Sequence, residues 1–303
     1  MGETQPTKQH RTTTGFHLTA GDIQFLRLIY EYRLARIDNL VALSGRSYKK
    51  IHGRLYKLVE NRYLKRIVLP LQKHIYAIGS AAVSVLVEQG VVSIELANER
   101  LRFHELKELF LKHEMMIVDI HTMLAAANPG KVGLVAWKEG WRLRDHVDVV
   151  ERGVRRRLPI YPDAFFTLQN GEGRAGQNGI SFFLEADRST TTHARFAEKI
   201  VAYWNYLQQG LHTKKYGIRA FRVVTITITA ERARNLCTLA ASVLPQQARR
   251  YFLFGSMESF SIAQPAGMLD PVFLTPRDAS GAERVALIPK PQAQPLARAR
   301  SGD

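Results

Sequence analysis

Two short apolar segments in the middle of the chain carry three carboxylates, and the spacing of these acids indicates chemistry. Asp163 lies within the run from Leu158 to Phe166, and Glu185 and Asp187 end a second run that begins at Ile180. Both runs are too short and too rich in Phe and Ile for helices, so we predict strands. Residues two apart in a strand face the same side, so Glu185 and Asp187 point together. Acids among Phe and Leu need a cation, a metal or a hydrogen-bond network, which makes this cluster the candidate functional site.

The pairs Pro162-Asp163 and Glu185-x-Asp187 resemble the metal-binding core of the PD-(D/E)xK nucleases. The resemblance implies that a divalent ion, Mg²⁺ or Mn²⁺, is held by carboxylates if the site is active. The implied ligands are Asp163, Glu185, Asp187 and, from the preceding predicted helix, Glu114.

The lysine of that nuclease core is displaced in this chain. Asp187 occupies its usual position, and the nearest substitute is Lys199 on the next predicted helix, one turn before Tyr203. If the site is active, the resemblance gives the catalytic set Asp163, Glu185, Asp187 and Lys199. The cluster is relieved by protons, by a cation such as Lys199 or Arg188, or by a bound metal.

Composition indicates a polyanionic partner. The chain has 303 residues, a net charge of +16, a pI near 10.1 and a single cysteine. From Ser44 to Lys73, nine basic residues face one acid, Glu60, so +8 of the +16 lies in a tenth of the sequence. Basic surfaces bind nucleic acid because they release phosphate counterions. One cysteine fits a reducing compartment, and the absence of a long apolar stretch or a signal-peptide pattern leads us to expect a cytoplasmic protein.

The basic segment lies in a pattern typical of a winged helix-turn-helix. Thr19 and Asp22 form a capping-box pattern before a first helix, a second helix runs from about Ile37 to Leu43, and a third from Ser47 to about Asn61. Two β-prone runs around Pro70 predict a hairpin wing. The third helix is expected in the major groove and the wing on the backbone. The expected DNA-binding residues are Arg46, Ser47, Lys49, Lys50, Arg54, Lys57, Lys65, Arg66 and Lys73.

The second half alternates predicted strands and helices. A helical pattern from about Arg100 to Ala127 precedes an order of β-β-β-β-α-β-α-β, which suits a mixed sheet flanked by helices. The predicted fold class is α+β, with a winged helix-turn-helix followed by a restriction-endonuclease-like mixed α/β domain. The expected ranges are a disordered N-terminus over 1–16, the winged helix and linker over 17–98, the nuclease-like domain over 99–258 and a disordered basic tail over 259–303.

Both halves together resemble the replication-relaxation family of plasmid and integrative-element proteins. The features that carry the resemblance are Arg54-Leu-Tyr-Lys-Leu, the helix with His113 before Val118-Asp119-Ile120, the segment Trp137–Trp141, Pro162-Asp163-Ala164, Phe183–Thr190 and Lys199–Tyr203. The resemblance implies a DNA-associated role in replication or mobilisation of a bacterial mobile element.

Three functions remain open from the sequence. The preferred one is a protein that binds double-stranded DNA and carries a nuclease-like domain without catalytic activity. The alternatives are an active Mg²⁺-dependent endodeoxyribonuclease and an adaptor that docks a relaxase, a helicase or another replication protein. The sequence leaves the DNA site, the protein partner and the oligomeric state open, a homodimer included.

Overall fold

The computed structural model describes residues 15–93, 107–127, 132–151, 153–170, 179–278 and 283–288. The chain divides into two compact units, the first within Met1–Ala126 and the second within Ala127–Asp303. Helices and mixed sheets are both present, so the predicted α+β class is confirmed. Residues 1–14 of the predicted disordered N-terminus lie outside the described residues.

The first unit begins with three helices and a small antiparallel sheet. Its elements are α1 (Ala20–Glu31), β1 (Leu34–Ala35), α2 (Ile37–Ser44), α3 (Tyr48–Glu60), β2 (Leu64–Ile67), β3 (Ile75–Ile78) and α4 (Ser80–Glu88). The strands lie in the order β1-β3-β2, with β2 and β3 paired from Leu64↔Ile78 to Ile67↔Ile75. These are the helices and the hairpin that the sequence predicts, in the predicted order.

Local sequence explains where α1 starts and how α3 packs. The Thr19 hydroxyl accepts from the Asp22 backbone N–H while the Asp22 carboxylate accepts from the Thr19 backbone N–H, which is the predicted capping box. Ile51, Leu55 and Leu58 recur on one face of α3 and are fully buried. The rest of α3 is therefore available as a surface.

Helix α5 (Glu108–Ala126) belongs to the first unit, whereas the sequence places it at the start of a domain over 99–258. Its apolar residues Leu111, Met115 and Val118 pack in one cluster with Leu34 and Ile75. The predicted helix over 100–127 cannot be followed before residue 107, because 94–106 lie outside the described residues.

The second unit is built on a seven-stranded mixed sheet. Its strands are β4 (Val132–Glu139), β7 (Ala164–Asn170), β8 (Gly179–Asp187), β9 (Arg222–Thr227), β10 (Phe252–Ser256), β11 (Phe273–Leu274) and β12 (Arg284–Val285), in the order β12-β11-β10-β9-β8-β7-β4. Strands β8, β9 and β10 run parallel, and the other neighbours are antiparallel. Strand β8 is an interior strand between β9 and β7, which explains its continuous apolar run.

Three helices and a separate hairpin complete the second unit. The helices are α6 (His193–Gln208), α7 (Leu211–Tyr216) and α8 (Ala230–Val243), and the hairpin pairs β5 (Asp145–Glu151) with β6 (Val154–Ile160). One core cluster joins Val147 and Leu158 of the hairpin, Tyr203 of α6, Leu236 of α8 and Phe183 of β8. Helices α6 and α8 therefore lie against β8, the strand that carries two of the three carboxylates.

The prediction of a disordered tail over 259–303 is wrong for residues 259–278 and 283–288. Strands β11 and β12 extend the central sheet, and Phe273 and Leu287 are fully buried. The Arg222 guanidinium also donates to the Leu287 carbonyl at 3.3 Å. The segment lacks helical or strand periodicity because its strands are only two residues long, so its apolar residues carry no pattern. Residues 279–282 and 289–303 lie outside the described residues.

Among the described residues, no helix combines the length and the apolar character needed to span a membrane.

Candidate functional site

Strand β8 brings Glu185 and Asp187 to one side of the sheet, as the two-residue spacing predicts. Both side chains are buried, and their partners lie on α6 and α8, the two helices that pack together on that side. Asp163 precedes β7 and pairs with the neighbouring end of β8, where its backbone N–H donates to the Leu184 carbonyl at 3.0 Å. The fold thus brings together the three carboxylates that the sequence singles out.

Glu185 uses both carboxylate oxygens on α6. Lys199 Nζ lies 2.5 Å from Oε2, and the Tyr203 hydroxyl lies 2.5 Å from Oε1. Lys199 and Tyr203 are one helical turn apart, so a single face of α6 supplies both donors. The predicted neighbourhood of Lys199 and the acids is therefore present, with Lys199 bound directly to Glu185.

Burial and charge shift the titration of this group in identifiable directions. Burial raises the pKa of Glu185, and the Lys199 ammonium only partly offsets this. Burial lowers the pKa of Lys199, but the charge and hydrogen bond of Glu185, together with the charges of Asp163 and Asp187, outweigh it and hold that pKa above its usual value. The pKa of Tyr203 is also raised, mainly by burial, so its hydroxyl keeps its proton and donates to Glu185.

Asp187 has its own cation, which the sequence does not indicate. Arg232 at the start of α8 donates from Nε to Asp187 Oδ2 at 2.8 Å and from a terminal nitrogen to the Thr191 carbonyl at 2.6 Å. The second carboxylate oxygen, Oδ1, is buried and has no hydrogen-bond partner among the described residues. Arg232 lies 45 residues after Asp187, and no local spacing pattern links the two positions.

Asp163 bridges the two strands. Its Oδ2 accepts a hydrogen bond from the Ala186 backbone N–H at 2.8 Å, between the two acids of β8. The negative charge of Asp163 also raises the pKa of Glu185, because the two carboxylates repel each other. The carboxylates are thus each engaged by protein donors.

Glu114, the fourth implied metal ligand, lies on α5 in the first unit. Its carboxylate accepts from Arg33 at 2.9 Å. Within the described ranges, no group of three or more His, Cys, Asp or Glu side chains is arranged to hold a metal. The donor set does not fit a metal in this arrangement, because Lys199 and Tyr203 already bind both oxygens of Glu185.

A cavity of about 380 Å³ opens beside Lys199. Leu158, Pro159 and Ala202 supply apolar lining, and polar or aromatic groups come from Tyr161, Thr191, Arg195, Glu198 and Lys199. The acid of this lining, Glu198, is bound to Arg156 at 2.7 Å. The basic side chains of the lining are Arg195 and Lys199. The carboxylate site is therefore next to a space that can take a ligand.

The predicted DNA-binding residues of the first unit divide into exposed and internally bound ones. Lys49, Lys50 and Lys57 are exposed on α3. Arg46 is exposed at the surface, 5.3 Å from the ring centroid of Phe25. Ser47 is the N-cap residue of α3, and its side chain makes no capping hydrogen bond.

Arg54 and Lys73 are engaged inside the first unit. Arg54 binds the buried Asp22 carboxylate with two nitrogens, and its guanidinium lies 5.1 Å from the Phe16 ring centroid. Lys73 lies 2.5 Å from Asp38. On the hairpin, Arg66 is exposed and Lys65 is partly exposed. Arg54 is thus a structural cation on the predicted basic face of α3, a role that helical spacing alone does not reveal.

The sequence profile of the replication-relaxation family matches residues 26–221 of the chain. The chain belongs to this family. The match runs from α1 to the residue before β9, so it includes both the basic helix α3 and the acids Asp163, Glu185 and Asp187. Arg232, the partner of Asp187, lies beyond it. Neither the curated proteins nor the solved structures contain a sequence that matches this replication-relaxation protein.

Exposed aromatic residues are the feature of this replication-relaxation protein that sequence reasoning missed. Tyr48 and Tyr56 lie exposed on α3, and Tyr48 stacks on His52 with ring centroids 6.1 Å apart. Trp141 and Tyr161 are exposed in the second unit. The i, i+4, i+8 spacing of Tyr48, His52 and Tyr56 could have shown that they share a side of α3.

Proposed function

We propose that this replication-relaxation protein binds double-stranded DNA in the replication or mobilisation of a bacterial mobile element. The observation that carries the proposal is the surface of α3. Lys49, Lys50 and Lys57 are exposed, and the described residues place no acid in an ion pair with any of them. Unpaired exposed cations on a helix are the groups that replace phosphate counterions. We name Lys49, Lys50 and Lys57 the α3 lysines.

The start of α3 supports the same proposal. Its first turn contains no acid, and Ser47 leaves the backbone N–H groups of that turn without a side-chain cap. Free N–H groups at a helix N-terminus attract phosphate, and two of the α3 lysines stand in the same turn. The order of three helices followed by a hairpin supports a winged helix, in which this helix enters the major groove.

Aromatic side chains broaden the proposed contact. Tyr48 and Tyr56 are about half exposed, and Gly53 lies between them with open space above its α-carbon. A glycine inside an exposed helix costs about 1 kcal/mol relative to alanine, so stability does not favour it there. Close approach of the helix to a DNA groove is a reason to keep this position small.

For the second unit we propose a binding role without catalysis. The nuclease-like core needs carboxylate oxygens free for a divalent ion and a lysine free for water. Here Lys199 is bound to Glu185, and Arg232 is bound to Asp187. Both oxygens of Glu185 would have to exchange protein donors before they could serve a metal. The same groups that neutralise the acids therefore oppose the metal-dependent chemistry.

One observation favours the second candidate, a metal-dependent endonuclease. Within the part of the chain that the structure describes, the buried Asp187 Oδ1 has no hydrogen-bond partner, which is costly unless a ligand or another state of the site satisfies this oxygen. An active enzyme would nick supercoiled DNA only with Mg²⁺ or Mn²⁺. It would also lose this activity in Glu185→Gln.

The proposal of DNA binding is tested by charge reversal on α3. The double variant Lys49→Glu, Lys50→Glu should weaken duplex binding at least tenfold while the protein stays folded, because acids in the first turn of a helix are favourable. The matched control is Lys214→Glu with Arg234→Glu, which makes the same change of charge at two exposed positions of the second unit. An equal loss of duplex affinity in both double variants would contradict the assignment to α3.

A further inference from the structure

We propose that the second unit binds single-stranded DNA on a surface formed by Trp141, Arg142, Arg144 and Tyr161, which we call the Trp–Tyr surface. This ligand and this surface are separate from the duplex contact proposed for α3, and the inference does not depend on that contact.

Two large aromatic rings are exposed on this surface. Trp141 is 71% exposed and Tyr161 is 55% exposed. By contrast, Phe166 and Phe183 of the second-unit sheet are fully buried. A free aromatic face in water is a stacking platform for an unpaired base, and each such stack contributes about 1–3 kcal/mol to single-strand binding.

Each exposed ring has an arginine over it. The Arg142 guanidinium lies 5.5 Å from the Trp141 ring centroid, and that of Arg144 lies 5.5 Å from the Tyr161 ring centroid. Both arginines are exposed, so their remaining donors can reach phosphate oxygens. The surface thus contains two aromatic–arginine pairs. Aromatic rings that stack on bases, with cations beside them for the phosphates, are the groups by which proteins bind single-stranded nucleic acid.

The loop that carries three of these residues is held in place by the core. Leu143 is buried in the core cluster of the unit. Its carbonyl accepts from the Tyr216 hydroxyl at 3.0 Å, and Lys215 Nζ donates to the Arg144 carbonyl at 2.6 Å. Because they are three positions apart in the chain, the α-carbons of Trp141 and Arg144 also lie within roughly 11 Å of each other. Because the backbone beside Trp141 is held in place, binding a base to its ring costs less entropy than binding to a side chain on a loose loop.

The surface continues into the cavity beside Lys199. Tyr161 lines that cavity together with Arg195 and Lys199. A strand stacked on Tyr161 therefore has a mostly apolar space next to it. The exposed Arg195 is the cation that can reach a phosphate there, because Lys199 is bound to Glu185. Such a space can take one base or the end of the strand.

Unpaired bases fit this surface better than a duplex does. In a duplex the base faces are stacked on one another and only the edges and phosphates are accessible. A stacking ring finds no partner there unless the bases are separated. We therefore assign the Trp–Tyr surface to single strands, and α3 to the duplex.

The test measures binding of fluorescently labelled oligothymidylate by anisotropy with the full-length protein. Trp141→Ala and Tyr161→Ala should each weaken binding about tenfold, the range expected for loss of one base stack. Val150→Ala, an exposed apolar side chain of the same unit, should bind as the wild type does. Arg142→Ala should weaken binding more than Arg155→Ala, because Arg155 is also exposed to solvent but is bound to Asp148 and has no ring of the described residues beneath it.

Tryptophan fluorescence gives an independent measurement. The chain has three tryptophans, of which Trp137 and Trp204 are partly buried and Trp141 is exposed. Stacking of a base should therefore quench mainly the emission of Trp141. Trp141→Phe should keep most of the oligothymidylate affinity and lose the quenching.

Three outcomes would overturn the inference. The first is wild-type affinity in both Trp141→Ala and Tyr161→Ala, and the second is an equal loss in Arg142→Ala and Arg155→Ala, which would mean non-specific attraction. The third is tighter binding of oligouridylate than of oligothymidylate, which would assign the surface to RNA. Lys49→Glu with Lys50→Glu should leave oligothymidylate binding within about twofold of the wild type, because the two surfaces are distinct. Failure of the duplex proposal can thus be distinguished from failure of this one.

Discussion

The Lys199 ammonium lies 2.5 Å from the Glu185 carboxylate, so the residue expected to activate water instead neutralises a buried acid. Lys199 comes from the helix α6 and Glu185 from the interior strand β8. The pair places the positive charge where a metal ion would otherwise relieve the carboxylates. This relationship is the reason why we assign the second unit a binding role.

Removing Lys199 should destabilise the protein in a pH-dependent way. In Lys199→Met, Glu185 has no cation, so its folded pKa rises further above the unfolded value of 4.5. A raised folded pKa stabilises below the unfolded pKa, and this contribution is lost as pH rises through the folded pKa. Urea unfolding should show a loss of about 3 kcal/mol near pH 8 and a smaller one near pH 5.

The control for this variant is Glu185→Gln in the same background. The double variant should recover much of the lost stability, because no charge then remains to be neutralised. A loss that is the same at both pH values, or no recovery in the double variant, would mean that Lys199 contributes by packing alone.

Divalent metal should neither stabilise the protein nor support cleavage. Glu185 and Asp187 already bind Lys199 and Arg232, so Mg²⁺ or Mn²⁺ has to compete with cations of the protein. We expect an unchanged Tm on adding either ion and no nicking of supercoiled plasmid. Metal-dependent nicking that disappears in Glu185→Gln would replace the binding role with a nuclease.

The sequence was sufficient to predict the acids but not all their partners. The i, i+2 spacing places Glu185 and Asp187 on one face of a strand, and the i, i+4 spacing places Lys199 and Tyr203 on one face of a helix. Both patterns are local, and both are present. Arg232 is invisible to such reasoning because its contact with Asp187 depends on how α8 packs on the sheet, which no short spacing encodes.

The difference between local patterns and contacts that depend on packing also explains which helices and strands were predicted. Helices α1 and α3 have apolar periodicity, and α3, predicted from Ser47 to about Asn61, is observed over Tyr48–Glu60. The single strand predicted over Leu158–Phe166 is wrong: Leu158–Ile160 end β6, Ala164–Phe166 begin β7, and Asp163 lies between the two strands. The start of β6 was missed because it contains three consecutive arginines, Arg155 to Arg157, on an exposed hairpin. Strands β11 and β12 are too short for any periodicity, so only pairing with the sheet defines them.

The C-terminal segment should contribute strongly to stability. Phe273 is fully buried, and one of its ring atoms lies 2.9 Å from the position that a Cβ on Gly255 would take. Phe273→Ala should lower the free energy of unfolding by about 3–5 kcal/mol, because it leaves a cavity in the core. Val150→Ala is the control, since that side chain is exposed and should change stability little. A nearly unchanged Tm in Phe273→Ala would mean that residues 259–278 and 283–288 do not pack on the sheet.

Asp22 and Arg54 should make the first unit sensitive to acid. Burial raises the pKa of Asp22, but hydrogen bonds from Arg54 and Thr19 outweigh it and hold the pKa below 3.8. A depressed folded pKa stabilises above the unfolded pKa, and this contribution is lost as pH falls through the folded pKa. The stability difference between wild type and Asp22→Asn should therefore shrink as pH falls below about 4. A difference that stays constant down to about pH 2 would contradict the charged pair.

The salt dependence of duplex DNA affinity tests the central claim most directly. If the α3 lysines contact phosphates, log Kobs should fall linearly with log salt concentration, with a slope near −0.9 for each phosphate contacted. Lys49→Ala with Lys50→Ala should reduce the size of that slope by about 2, while the Lys214→Ala, Arg234→Ala control leaves it unchanged. An affinity that does not depend on salt, or a slope that the α3 variant leaves unchanged, would contradict DNA binding through α3.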